Sequence, residues 1–211
     1  MTLSAWPSGG GGTSTFSSQF GYNSGSGTNI LYQSFQLAND NFFYGGAGNT
    51  SLTGTYNTAV GYGDVGQDTI GSYNTVLGYT AGLGLTGGSL NVALGFQALL
   101  NDSSGSQNVA VGYQTLLAYL SSGSTAVGDA AFTSATGTYN TGLGFNAGGN
   151  ITTGQNNNLF GFGSGLGITS GSYNTILGGS VGGLPSGLAN NLILADGAGN
   201  IRLRDWGNGT M

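Results

Sequence analysis

The 211-residue sequence contains no cysteine, no histidine, no glutamate and no lysine. Without cysteine no disulfide framework holds the fold, and the redox compartment is left open. Without cysteine and histidine together, the usual zinc sites and Ser/His/Asp triads are excluded. The only bases are Arg202 and Arg204, set against seven aspartates for a net charge of −5. No basic patch exists to hold nucleic-acid phosphates. No apolar run reaches the 18 residues of a membrane-spanning helix, and residues 1–12 carry neither the charged nor the continuous apolar part of a secretory signal. Charged residues make up only 4% of the chain and 45 residues are glycine, which raises disorder as the first alternative. Against it stand 11 tyrosines, 10 phenylalanines and two tryptophans, many recurring in register.

That register is the dominant feature present. A glycine returns at Gly61, Gly78, Gly95, Gly112, Gly128, Gly144, Gly161 and Gly178, in steps of 17, 17, 17, 16, 16, 17 and 17. Four residues before these glycines stand Asn57, Asn74, Asn91, Asn108, Asn140, Asn157 and Asn174, with Ser124 in the slot before Gly128. Another glycine precedes most of these asparagines by three, so the unit reads G-x-x-N-x-x-[VL]-G-[YF]. Degenerate copies at Asn41 to Gly45 and Asn191 to Ala195 extend the array to ten units. A fixed period this short predicts a solenoid, all-β, with parallel motif strands about 4.8 Å apart. The period allows two short strands and two turns per coil, a narrow roll. Asparagine and glycine suit backbone tasks: bonding neighbouring amides, positive φ and close approach of chains.

Three divisions follow. Residues 1–40 lie outside the register and open with the glycine run 9–12; residues 41–196 hold the array; residues 197–211 form a cap, with the alternation at Ile201 to Trp206 read as a last strand. Within the motif strand, the column before the glycine (Val60, Leu77, Leu94, Val111, Val127, Leu143, Phe160, Leu177, Leu194) is expected to fill the coil. Its neighbour (Ala59, Val76, Ala93, Ala110, Ala126, Gly142, Leu159, Ile176, Ile193) is then expected to face outward. An apolar outer column needs a cover, and another copy of the chain is the simplest.

The strands Asn57-Thr-Ala-Val-Gly61 and Asn108-Val-Ala-Val-Gly112 resemble the S-V-A-I-G core of the left-handed parallel β-roll in trimeric autotransporter adhesin heads. Asn-Val-Ala-Leu-Gly-Phe-Gln-Ala-Leu99 and Asn-Val-Ala-Val-Gly-Tyr-Gln-Thr-Leu116 are similar to tandem repeats of bacteriophage tail-fibre and tail-spike proteins, as is the closing Asn191 to Arg204. The resemblance covers about three-quarters of the chain. It implies a homotrimeric, non-enzymatic fibre or spike on the tail or capsid surface of a virion, involved in host recognition. A bacterial surface adhesin and a polysaccharide depolymerase are the rival implications. The partners implied are two further copies of the chain, virion proteins at the N-terminus and a host glycan or protein; no cofactor, metal or membrane insertion is expected.

Candidate receptor contacts are Tyr56, Tyr73, Tyr139 and Tyr173, which share the slot before the motif asparagine, together with Trp206. Stacking between coils is the competing reason for rings at this slot. The second aromatic column, Tyr62, Tyr79, Phe96, Tyr113, Phe145 and Phe162, is expected to serve packing. Trp6, Phe16, Phe20 and Tyr22 are the candidate virion-attachment residues, because a glycine-rich segment gains little by folding alone yet offers aromatic area to a partner. Aspartates are the only acid/base candidates. Asp64 and Asp68 are near in sequence but sit in a turn, where aspartate is common. The threonines at 58, 75, 125, 141 and 175 raise ice binding, set aside on the expectation that they face inward.

Overall fold

The structure is a computed structural model that describes residues 40–47, 53–63, 71–118 and 121–205, and the backbone course of 14–16 and 35–37. The chain winds as an all-β parallel solenoid of about eight turns of about 17 residues, with no helix among the described residues. Ten strands form its ladder: β3 (Phe42–Tyr44), β4 (Thr58–Tyr62), β5 (Thr75–Tyr79), β6 (Val92–Leu94), β7 (Val109–Val111), β8 (Thr125–Val127), β9 (Thr141–Leu143), β10 (Asn158–Phe160), β11 (Thr175–Leu177) and β12 (Leu192–Ala195). Each pairs in parallel with the next, equivalent residues opposite one another. The ends run the other way. At one end β1 (Ser14–Phe16) and β2 (Phe35–Leu37) pair antiparallel and lead into β3; at the other, β13 (Ile201–Asp205) returns antiparallel along β12. An antiparallel return stops the parallel stack, and its arginines discourage a further strand from adding.

Among the described residues each coil contains one strand rather than two. The remaining walls are turns whose backbone bonds run singly from coil to coil, such as Leu99 N–H to Thr115 C=O at 2.9 Å and Leu116 N–H to Ala131 C=O at 3.0 Å. Leu99, Leu116 and Phe132 hold φ near +50° there (54°, 51° and 50°), which turns the chain too tightly for a second strand.

The expected facing of the motif strand is reversed. The column from Ala59 through Val76, Ala93, Ala110 and Ala126 to Ile176 and Ile193 is the buried one, at 0 or 1% exposure. Leu77, Leu94, Leu143 and Leu177 look outward. The threonines share the outward parity, so they too are on the surface. The physical reason is coil width: a roll this narrow admits a methyl group from the strand when a leucine comes from the facing wall. Ala93 lies in a coil with Leu99, and Ala110 with Leu116. Where the strand residue is larger the facing slot becomes glycine, as for Val76 with Gly82 and Leu159 with Gly165. Phe132 goes further, filling the space that Gly142 and Gly148 of the next coil leave, since a Cβ on either would strike its ring.

The asparagines are the polar spine of this interior. Each accepts through its carboxamide oxygen the backbone N–H of the next motif residue, from Asn57 N–H to Asn41 Oδ1 at 2.7 Å to Asn191 N–H to Asn174 Oδ1 at 3.2 Å. Its Nδ2 donates onward to a backbone carbonyl of the following coil, as Asn74 does to Gly88 at 2.9 Å. Ser124 keeps the ladder intact: it donates its N–H to Asn108 Oδ1 and accepts Asn140 N–H through Oγ, at 3.0 and 2.9 Å. Arg204 ends it, its Nε donating to Asn191 Oδ1 at 3.0 Å. Positive φ is found one residue earlier than the asparagine, at Tyr56, Tyr73, Leu90, Gln107, Tyr139, Asn156 and Tyr173. The motif glycines have both properties expected of them. Gly112 has φ +136°, and a Cβ there would fall on the Gly128 carbonyl of the next coil.

Candidate functional site

Alternation along the strands places three outward columns side by side. They are Thr58, Thr75, Val92, Val109, Thr125, Thr141; then Val60, Leu77, Leu94, Val111, Val127, Leu143; then the aromatic column that follows the glycine. Leu77, Leu94, Leu143 and Leu177 are 39 to 49% exposed, so the middle column is an open apolar stripe. Across β4 to β12, at about 4.8 Å per strand and 3.3 Å per residue, the face spans roughly 500 Å². That is near the upper end of what a monomer leaves uncovered. Asp129 and Asp196 are the only charged residues that enter its columns.

The column after the glycine is the better-developed ladder. Tyr62, Tyr79, Phe96 and Tyr113 stack continuously with centroids 5.7, 5.6 and 5.3 Å apart, and Phe145 stacks on Phe162 at 5.4 Å. Asp129 interrupts the two runs. These rings are exposed as well as stacked, so packing alone does not describe them. Sequence reasoning assigned them to packing because the column includes three phenylalanines; the parity of the strand is the signal that places them outside.

The predicted tyrosines share their slot but not one environment. Tyr56 and Tyr73 stack at 5.1 Å with planes 16° apart. Among the described residues Tyr139 and Tyr173 have no stacked ring neighbour, because Gly123, Asn156 and Asn190 occupy the adjoining positions of the column. All four tyrosines sit at φ 59 to 62°. Trp206, Trp6, Phe20 and Tyr22, and the side chain of Phe16, lie outside the described residues.

Two carboxylates have defined surroundings. Asp102 is fully enclosed, in the slot that holds Leu85, Ile151 or Ile168 in other coils. It accepts Gly105 N–H at 2.6 Å, Ser104 N–H at 3.3 Å and Asn108 Nδ2 at 3.1 Å. Burial raises its pKa despite these donors. Asp196 is the opposite case. Asn200 holds its carboxylate through side chain and backbone and Arg202 pairs with it at 2.6 Å, so its pKa falls to about 2. Asp64 and Asp68 lie outside the described residues. Among the described residues no cluster of three metal-ligating side chains occurs.

Comparison with known proteins gives no match to a family model, a curated protein or a solved structure. The threonine row needs a correction of its own. It faces solvent, so the ground for setting ice binding aside is removed; what stands against a regular ice lattice is its interruption by Val92, Val109 and Asn158.

Proposed function

We propose that the chain is a non-enzymatic structural fibre or spike of a bacteriophage virion that takes part in recognising a host surface. The observation that carries this reading is the exposed apolar middle column along one side of a rod whose coils are locked by the asparagine ladder. Such a stripe favours lateral assembly, and the resemblance of the repeats to phage fibres supplies the assembly: a homotrimer, each copy covering the apolar middle column of another and leaving the threonine column open. A standard protein interface takes roughly 800 Å² from each partner, to which this stripe contributes the apolar centre. The states of Asp102 and Asp196 favour a non-enzymatic role. One is spent on its own turn and the other on an arginine. In this reading residues 1–40 join a tail or capsid protein and the tyrosines of the pre-asparagine slot meet a host glycan or protein.

The test is made on particles and on the free protein. Mass spectrometry of density-purified virions should find the chain as a stoichiometric component, and sedimentation of the free protein should give three times the 20.9 kDa chain mass. Absence from purified particles would refute the virion reading, and a stable monomer would refute the assembly.

A further inference from the structure

The four tyrosines of the pre-asparagine slot recur in one local sequence: Thr55-Tyr-Asn-Thr58, Ser72-Tyr-Asn-Thr75, Thr138-Tyr-Asn-Thr141 and Ser172-Tyr-Asn-Thr175. Each tyrosine is followed two residues on by an outward threonine. The backbone at this slot is left-handed, at φ 59 to 62° for the tyrosines, a setting that asparagine or glycine adopts at less cost than an aromatic residue. Asn156 and Asn190 occupy the same slot at φ 55° and 60°. The first two tyrosines recover some of the cost by stacking on one another. Tyr139 and Tyr173 do not, and they are 61% and 55% exposed. Tyr139 rests on Gly123 of the preceding coil, where a Cβ would strike its ring, and neither Tyr139 nor Tyr173 stacks on another ring among the described residues.

Between them lies a single coil, with the sequence Gln155-Asn-Asn-Asn158. Asn157 belongs to the buried ladder, while Asn156 stands in the tyrosine column and Asn158 pairs in register between Thr141 and Thr175. The side chains of Asn156 and Asn158 make no hydrogen bond among the described residues, so their donors and acceptors are open to a ligand. The surface is therefore two rows of three, Tyr139, Asn156 and Tyr173 beside Thr141, Asn158 and Thr175, without a charge. Gln155 Nε2 lies 3.5 Å from the Tyr173 hydroxyl, which places that hydroxyl over the coil between the two tyrosines.

We propose that these six residues form a binding site for a neutral saccharide. Two coil steps set the tyrosines about 9.6 Å apart. Asn156 stands between them at the base of the gap, and apolar contact at about 4 Å on each side lets one sugar ring lie beyond its shorter side chain. The Tyr56 and Tyr73 rings, at the same slot and φ, face along the rod, and in the proposed site Tyr139 and Tyr173 do likewise across Asn156. A pyranose presents C–H groups to the ring faces and hydroxyls to the two carboxamides and two threonine hydroxyls. The absence of any basic group among these six residues selects against sialylated, sulfated or phosphorylated glycans. The self-stacked ladder from Tyr62 to Tyr113 cannot serve in this way, because its rings cover one another's faces.

This site rests on the host-recognition part of the reading above and assigns it a ligand class. Saturation-transfer NMR of the full-length protein with neutral gluco-, galacto- and manno-oligosaccharides, and with heparin oligosaccharide as a charged comparison, tests it. At least one neutral series should bind, at least tenfold more weakly in Tyr139→Ala and in Tyr173→Ala. Tyr173→Phe should retain most of the affinity, and Tyr79→Ala all of it. The proposal is overturned if no neutral series binds, if heparin alone binds, or if Tyr79→Ala weakens binding as much as Tyr173→Ala. Circular dichroism of each variant separates loss of the site from loss of the fold. Failure here with the protein still present in purified virions would leave the structural role intact.

Discussion

Each asparagine of the ladder satisfies one buried N–H and one buried C=O of the next coil, so its removal orphans two groups at once. Asn74→Ala strips the acceptor from Asn91 N–H and the donor from Gly88 C=O. At about 1 to 3 kcal/mol for each unsatisfied buried group, roughly 2 to 6 kcal/mol of stability should be lost. Asn74→Ser should cost clearly less, because Ser124 shows that a hydroxyl maintains the acceptor. Chemical denaturation of the two variants gives the order, and equal losses would show that the ladder is not the relevant term. Asp102 offers a test of sign. Its folded pKa lies above 3.8, so the native state binds the proton more readily than the unfolded one, and the associated stability is full below the unfolded value and lost as pH rises through the folded one. Asp196, lowered to about 2, acts inversely: its contribution is present above 3.8 and lost as pH falls toward 2. Asp102→Asn should therefore flatten the fall in melting temperature on the alkaline side of about pH 4 and leave the acid limb unchanged. A variant whose pH profile superimposes on the wild type would show that Asp102 does not titrate in this way.

The element scale shows what was legible in the chain. Period, parallel register and the close approach at the motif glycines could be read directly, because a Cβ-free position that returns once per coil marks where the backbones of successive coils touch. The facing of the strand could not, since both of its columns are apolar and hydrophobicity alone does not choose between them. Size does: the inward column is rich in alanine, and six residues later stands its complement, Leu99 after Ala93, Gly165 after Leu159. The tyrosine slot was visible, but the isolation of Tyr139 and Tyr173 depends on what fills the coils beside them. Complementary size makes a specific prediction at Phe132. Gly148→Leu alone should be strongly destabilising, because its side chain would enter the Phe132 ring. Combined with Phe132→Leu it should regain most of the loss, since Leu99 and Leu116 occupy the same slot at φ 54° and 51°. A double-mutant cycle with coupling below about 0.5 kcal/mol would contradict direct packing. Glycines elsewhere should divide by the same logic. Gly112→Ala meets positive φ and a carbonyl, costing about 1 to 3 kcal/mol, whereas Gly182→Ala meets nothing within 4 Å and should be near neutral.

On the scale of the whole molecule, two adjacent residues separate folding from assembly. Ile176 is fully enclosed inside the roll, while Leu177 is 42% exposed on the outer face. An aspartate at 176 would place an unpaired carboxylate in the apolar interior, a cost of several kcal/mol, and should unfold the local coils whatever the oligomeric state. An aspartate at 177 projects into solvent in a single chain and introduces one charge per copy only where copies meet. Leu177→Asp should therefore keep the circular dichroism of the wild type and sediment as a monomer, with Leu143→Asp behaving alike because it lies in the same column two coils away. Ile176→Asp should lose the β signal before association becomes measurable. If Leu177→Asp sediments with the wild-type trimer, the outer strand face is not where copies join. The stripe would then be left for the virion partner or the host surface to cover.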